Sequence, residues 1–217
     1  MKKVMKVIAA GIVCTCIFCF GKAIRDKTAK VYQQFCEETE PEEWIDFNYW
    51  QNRNADVYAW IRIPGTKIDY PVVQGDEDGY YLSHDIDKES NIYGAIYTET
   101  ANDIDFSDGN TVIYGHNTLD RFGKLHEYQD RTFFDENREV RIYLPEKMLV
   151  YRIFAAYPYD DRHLIAAYDF SDPIIFRNYL EEVFSIRQID AFIDDTMDVT
   201  EDDKLITLET GVSDEPD

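Results

Sequence analysis

The chain has 217 residues, enough for one domain with a short appendage, and its 16 Tyr and 13 Phe supply material for a packed core. Its formal net charge is −21 and uneven: residues 1–30 contain seven Lys or Arg and one Asp, whereas residues 31–217 contain 15 basic and 42 acidic side chains. A groove for DNA or RNA needs the opposite sign, so the composition argues against nucleic-acid binding.

The four cysteines do not form a framework. Cys14, Cys16 and Cys19 lie in an apolar run, where a thiol packs like a small hydrophobic side chain, and Cys36 is the lone Cys of the remaining chain. No disulfide pairing or zinc-ligand spacing can be read from this pattern, so we expect neither a metal site nor a cofactor.

The amino terminus has the pattern of a membrane anchor. A basic tail over 1–6 precedes an apolar segment over 7–24, whose uncharged core is about 15 residues long, shorter than the ~20 that a bilayer helix needs. Lys6 and Lys22 can extend their long side chains to the membrane surface and so lengthen the usable span. A cleaved signal peptide is the alternative, although no clear small-residue cleavage site follows Phe20.

After the apolar segment, the sequence predicts two helical stretches. Residues 22–40 are polar and helix-like, which suggests a stalk over 25–41. Pro41 followed by two Glu is a helix-start signal and predicts a second helix over about 42–55. We take 42–217 as the folded domain.

The rest of the chain changes to the two-residue period of strands. A Pro-Gly turn separates the first two strands, and Pro71 inside the second suggests a sheet edge or a bulge. Asp172 and Pro173 predict the start of a helix over 173–186. Seven strands with few helices predict a mostly β fold, a closed or nearly closed barrel. The predicted strands are 57–63, 67–73, 94–98, 111–116, 139–144, 148–157 and 204–210.

Several runs of sequence, in this order and spacing, resemble class B sortases, the membrane-anchored cysteine transpeptidases of Gram-positive bacteria. The runs are NADVYAWIRIPGT at 54–66, IDYPVVQ at 68–74, YLSHD at 81–85, GAIY at 94–97, VIYGHN at 112–117 and TLET at 207–210. The resemblance extends over most of the chain. It implies a barrel of eight strands with a helix between the sixth and seventh.

The resemblance also implies a reaction and partners. In this family a Cys thiolate attacks the carbonyl after Thr in a sorting signal, a His protonates the leaving amine, and an Arg stabilises the oxyanion. An amine of the peptidoglycan then resolves the thioester. The implied partners are therefore sorting-signal peptides, a peptidoglycan amine and the membrane. The implied location is the cell membrane, with the amino terminus in the cytoplasm and the domain outside.

Five residues map onto the family's site by position. His116 matches the acid/base His, and Gly211 stands where the family has its nucleophilic Cys. Leu208, Thr210 and Asn117 match positions beside the substrate, although Leu208 reads equally well as core. His84, His126 and His163 lack a comparable context and receive no catalytic role.

Gly211 makes the activity of this chain uncertain, because a residue without a side chain cannot attack a carbonyl. Thr210 should point to the opposite face of the strand, and Cys36 lies far from the barrel in sequence, so neither is a good substitute. The family's Arg belongs to one further strand, for which these 217 residues offer no counterpart. We therefore expect an inactive or nearly inactive sortase relative, with a non-catalytic binding module or a truncated gene remnant as alternatives.

Overall fold

A single curved sheet with helices packed against both of its faces forms the domain. The computed structural model describes the backbone of residues 4–10 and 12–18, and residues 44–118, 121–160 and 162–211 in full. All seven predicted strands are present, which confirms the mostly β fold. They are β3 (Val57–Arg62), β4 (Asp69–Val73), β5 (Ile96–Tyr97), β6 (Asn110–Tyr114), β7 (Glu139–Leu144), β8 (Lys147–Tyr157) and β10 (Lys204–Glu209), with β9 (Phe192–Ile193) added at the edge of β8.

Two of these strands differ from the sequence prediction for backbone reasons. β5 is only two residues long, because Gly94 has a φ of +50° and its N–H bonds back to Asn91 instead of joining the ladder. β4 pairs with β5 only at Val72 and Val73, so Pro71 has a neighbouring strand on one side alone. That position suits a residue without a backbone donor, as the edge prediction required.

The sheet closes through the amino-terminal segment. The seven main strands follow the order β10-β6-β5-β4-β3-β7-β8. β1 (Val4–Ala10) runs parallel to β10 at one end of this order and also pairs with β8 at the other end. β2 (Ile12–Phe18) returns antiparallel to β1. A strand edge presents unpaired donors and acceptors, which accounts for the pairing of this segment with β10.

From residue 7 onward these strands fall within the predicted membrane anchor over 7–24. Across the described ranges, from residue 4 to 18 and from 44 to 211 with their gaps, no helix is long and apolar enough to cross a bilayer. Residues 19–43, including the predicted stalk, lie outside the described residues. The anchor over 7–24 therefore stays a prediction.

Two helices follow from their caps. α1 (Phe47–Arg53) begins after Asp46, whose carboxylate accepts from the backbone N–H of Tyr49 at 3.0 Å. The predicted helix over 42–55 is wrong at residues 44–46, which are not helical. Asp46 caps the helix, so its first turn begins at Phe47. The helix after Asp172 has the predicted place and cap. The remaining helices are α2 (Arg131–Glu136), α3 (Leu164–Ala167), α4 (Pro173–Ser185) and two 3-10 helices, Tyr80–Leu82 and Gly123–Gln129.

The two faces of the sheet carry separate cores. On one face Ile113, Ile206 and Leu208 pack into the main cluster, and each is fully buried. The other face carries Val112, Tyr114 and Leu205 against the apolar side of α4. This arrangement fixes β6 and β10 side by side, so the residues that follow both strands meet at one end of the sheet.

Candidate active site

The carboxyl ends of β6 and β10 form the candidate site. These strands are parallel neighbours in which Glu209 is opposite Tyr114, and the Gly115 N–H extends the ladder to the Glu209 carbonyl at 3.0 Å. If the register continues by one more residue along both strands, Gly211 lies beside His116. The register therefore joins the two positions that sequence places 95 residues apart.

Alternation along the strands assigns side chains to faces. Tyr114 and His116 share one face of β6 and its extension, as do Glu209 and the position of Gly211 on β10. This is the face that packs toward α4, because Tyr114 belongs to that cluster. A side chain at 211 would therefore project on the same face as the His116 imidazole.

His116 is half-buried, and its ring is oriented by one hydrogen bond. Its Nε2 lies 2.8 Å from the carbonyl oxygen of Leu82. A carbonyl can only accept, so Nε2 carries the hydrogen and Nδ1 is left as the ring atom that can exchange a proton. A ring protonated on both nitrogens could then deliver the Nδ1 proton to a leaving amine while Nε2 stays bonded to the carbonyl, as a general acid must.

The loop that presents the Leu82 carbonyl is itself held by a buried polar network. Asn54 donates to the Tyr81 hydroxyl at 2.7 Å and to the Ile86 carbonyl at 2.9 Å, and that hydroxyl donates to Asp56 Oδ2 at 2.6 Å. Burial alone would raise the pKa of Asp56, but hydrogen bonds from Lys88 and Tyr81 outweigh it and hold the pKa below its usual value. These motif residues therefore act at a distance, by fixing the loop against His116.

Gly211 is exposed, and the space around it is open. A Cβ built on this residue meets no described atom within 4 Å, so there is room for a side chain to begin here. The Gly211 carbonyl lies 3.2 Å from Nε2 of His126, on the 3-10 helix Gly123–Gln129. His126 thus lies at the site although its sequence context gave no sign of it, because the contact joins segments 85 residues apart.

Known proteins with similar sequence and structure decide the family. A scan against protein-family models finds no match. Sortase B of Clostridium perfringens has a solved structure that is 32% identical, covers 75% of this chain and 89% of its own, and superposes with a TM-score of 0.68. The chain belongs to the class B sortase family. Sortase B of Listeria monocytogenes is 31% identical over 162 residues, which is 74% of this chain and 64% of that protein.

A third relative shares the fold. The structure of a Staphylococcus aureus sortase B–substrate complex is 24% identical, covers 84% of this chain and 82% of its own, and gives a TM-score of 0.66. At that identity the likeness shows the fold alone. It agrees with the barrel and helix order of this class B sortase.

The three predicted substrate-side residues of this sortase have different environments. Leu208 is fully buried in the main core, the packing role that its strand position also allowed. Thr210 is 4% exposed, and its hydroxyl has no hydrogen-bond partner among the described residues. Asn117 is half-buried next to His116 in a turn closed by the Phe122 N–H on the His116 carbonyl at 3.0 Å. Substrate contact by these residues stays a prediction.

Acidic and aromatic groups missed by the sequence argument lie beside the site. His163 Nε2, just before α3, is 3.0 Å from Glu99 Oε2 and 3.2 Å from the Tyr114 hydroxyl. Glu209 lies on the same side, and burial raises its pKa to about 7; the charge of His163 opposes this effect, and that of Glu99 adds a smaller increase. A glutamate at the variable position of the TLxT run gave no signal of this burial.

The remaining histidine has a structural role. His84 stacks on the Tyr80 ring at a centroid distance of 4.1 Å, and its Nδ1 lies 2.8 Å from the Tyr80 carbonyl. His84 therefore stabilises the loop that presents Leu82 and is not part of the site itself.

Proposed function

We propose that this class B sortase keeps the acid/base half of a cysteine transpeptidase site and lacks the nucleophile half. Gly211 carries the proposal, since it occupies the register position beside His116 and has open space where a thiol would stand. Loss of a nucleophile from a catalytic unit costs on the order of 10⁶ in turnover. The chain as written is therefore inactive or nearly so.

The division of labour follows from the groups present. In the complete reaction a thiolate at 211 adds to the carbonyl carbon after Thr, the C–N bond breaks, and the leaving amine takes a proton from His116. A thioester remains until an acceptor amine, in the family an amine of peptidoglycan, replaces the sulfur. His116 supports this role through its held Nε2 and available Nδ1.

A non-catalytic peptide-binding role is the second candidate. The domain has continuous buried cores on both faces of its sheet, which favours a folded module over a poorly folded gene remnant. The site face is exposed at Leu82, which is 45% exposed, and at Gly211. We therefore expect sorting-signal peptides to bind without being cleaved.

The test compares the full chain with Gly211→Cys. Each protein is incubated with fluorogenic sorting peptides and an amine acceptor, and acyl-enzyme is sought by intact mass. We expect no turnover from the parent chain and slow thiol-dependent cleavage from Gly211→Cys, at least about tenfold above the matched Gly211→Ala control. Adding His116→Ala to Gly211→Cys should remove that gain.

Two results would decide against this function. Thiol-dependent turnover by the parent chain that persists in Cys36→Ser would show that another group acts as nucleophile. A Gly211→Cys variant that binds peptide but never forms an acyl-enzyme would show that position 211 does not face the scissile carbonyl. Peptide affinity of the parent chain, measured by fluorescence anisotropy, separates the binding module from a remnant.

We also propose that residues 7–24 leave the sheet positions that β1 and β2 occupy in this structure and anchor this sortase in the cell membrane with its domain outside. The support is the basic, apolar, basic order of residues 1–30 and the family resemblance. Resistance to alkaline extraction, with protease cleavage of the domain in intact cells, is the expected outcome. Release of the whole chain by alkali would contradict it.

A further inference from the structure

A polar cluster lies two residues below the site, where four segments of the chain meet. Glu99 follows β5, Tyr114 ends β6, Glu209 ends β10 and His163 precedes α3. Two more described groups, Tyr97 and Asp78, lie close enough to help raise the pKa of Tyr114. With Asp78 included, the cluster contains three carboxyl groups and one imidazole.

His163 connects the segment after β8 to the strand ends. Its Nε2 lies between Glu99 Oε2 at 3.0 Å and the Tyr114 hydroxyl at 3.2 Å, and its ring is parallel to that of Tyr114. The Glu99 side chain is 14% exposed and that of His163 is 46% exposed. A protonated imidazole would hold this segment through a charge-assisted hydrogen bond, and a neutral one through a weaker bond.

The carboxyl group of Glu209 makes this cluster sensitive to protonation. Its Oε2 is buried and accepts no hydrogen bond from the described residues. A neutral carboxylic acid is tolerated there, whereas a carboxylate would face Glu99 across a poorly solvated space. Of the two charged neighbours that act on Glu209, His163 lowers its pKa and Glu99 raises it, while Arg162, next to His163 in sequence, is paired with Asp160 at 2.9 Å.

We propose that Glu99, His163 and Glu209 form a pH-operated latch that fastens the segment after β8 to the strand ends carrying His116 and Gly211. The regulatory meaning of the latch rests on the proposed function of that site. The latch itself is a property of the fold and can be tested without any peptide.

The direction of the latch follows from the protonation change of Glu209. Its pKa is raised to about 7, chiefly by burial, so rising pH adds a negative charge where Glu99 already supplies one. The latch is therefore closed in acid and opens as the pH rises past about 7.

Hydrogen–deuterium exchange of the full chain in detergent tests this. Amides in 162–167 are followed at about pH 5.5 and about pH 8, after correction for intrinsic exchange rates. We expect at least about threefold to tenfold faster corrected exchange at the higher pH, tenfold corresponding to one pKa unit of differential stabilisation. Glu209→Gln, which keeps the shape and cannot ionise, should reduce that ratio at least about threefold.

A control variant far from the cluster shows whether the effect is specific to Glu209. Glu146→Gln, an exposed glutamate in the β7–β8 turn, should keep the parent ratio. His163→Gln should exchange fast at both pH values. If it fails to fold, Glu209→Gln decides alone. Equal corrected exchange of the parent chain at both pH values, or a parent ratio in Glu209→Gln, would overturn the latch whatever the outcome of the peptide assays.

Discussion

Two polar clusters flank the site of this sortase, and they are built in opposite ways. In the Asn54 network, the side chain of Asn54 makes three hydrogen bonds, to Tyr81, Ile86 and the Asp56 backbone, at 2.7 to 3.0 Å. In the cluster under the strand ends, Glu209 Oε2 is buried with no hydrogen bond among the described residues. The first cluster is closed by its own bonds, and the second depends on protons.

The difference explains what each cluster does for the site. A satisfied buried network fixes one geometry, so the loop with the Leu82 carbonyl has one position against His116. A carboxyl that lacks partners instead changes the local energy when it ionises. Position and pH response thus come from different residues, and each can be removed separately.

The largest expected effect is on the satisfied network. Asn54→Ala removes three hydrogen bonds at a residue that is 4% exposed and leaves the Ile86 carbonyl and the Asp56 N–H without this partner. We expect a loss of about 2–3 kcal/mol in the free energy of unfolding, measured by urea denaturation. Asn52→Ala is the matched control, since Asn52 makes one exposed bond within α1. Equal losses in both variants would show that the network contributes nothing beyond a surface bond.

The next effect concerns Glu209 and depends on pH. The folded chain keeps its proton up to about pH 7, whereas the unfolded chain releases it near 4.5, so the folded state binds more protons in between. This contribution to stability is present below about pH 4.5 and is lost as the pH rises through about 7. Glu209→Gln should match the parent chain in acid and exceed it at about pH 8 by on the order of 2–3 kcal/mol.

Urea denaturation at a series of pH values measures this difference. Glu146→Gln serves again as the exposed glutamate control and should follow the parent curve at every pH. A stability difference between Glu209→Gln and the parent chain that stays constant with pH would contradict the assigned burial. It would also remove the distinction between the two clusters.

Sequence alone predicted the sheet because its signals are local. The two-residue period, the Pro-Gly turn and the Asp172-Pro173 cap each act within a few residues, and the strands and α4 appear where these signals stand. The predicted helix over 42–55 is helical only from Phe47 within its described part, because Asp46 caps the first turn there. The short β5 follows from the positive φ of Gly94, which composition does not reveal.

The site was predictable only as far as its motifs reached. His116 and Gly211 were placed by the runs that contain them, and the parallel register of β6 and β10 brings them together. His126 and His163 reach the site from a 3-10 helix and a loop, across 85 and 49 residues respectively. Such contacts depend on the packed fold, so no spacing in the sequence could have indicated them.

The smallest expected effect tests the exposed rim of the satisfied network. Lys88 pairs with Asp56 at 2.8 Å, but its side chain is 48% exposed, so Lys88→Gln should cost less than about 0.5 kcal/mol in urea denaturation. Lys88 also has a φ of +61°, and Gln retains that backbone strain while Gly relieves it. Lys88→Gly should therefore be more stable than Lys88→Gln by up to about 1 kcal/mol. A cost for Lys88→Gln as large as that of Asn54→Ala would mean that the surface ion pair, and not the buried amide, holds the loop against His116.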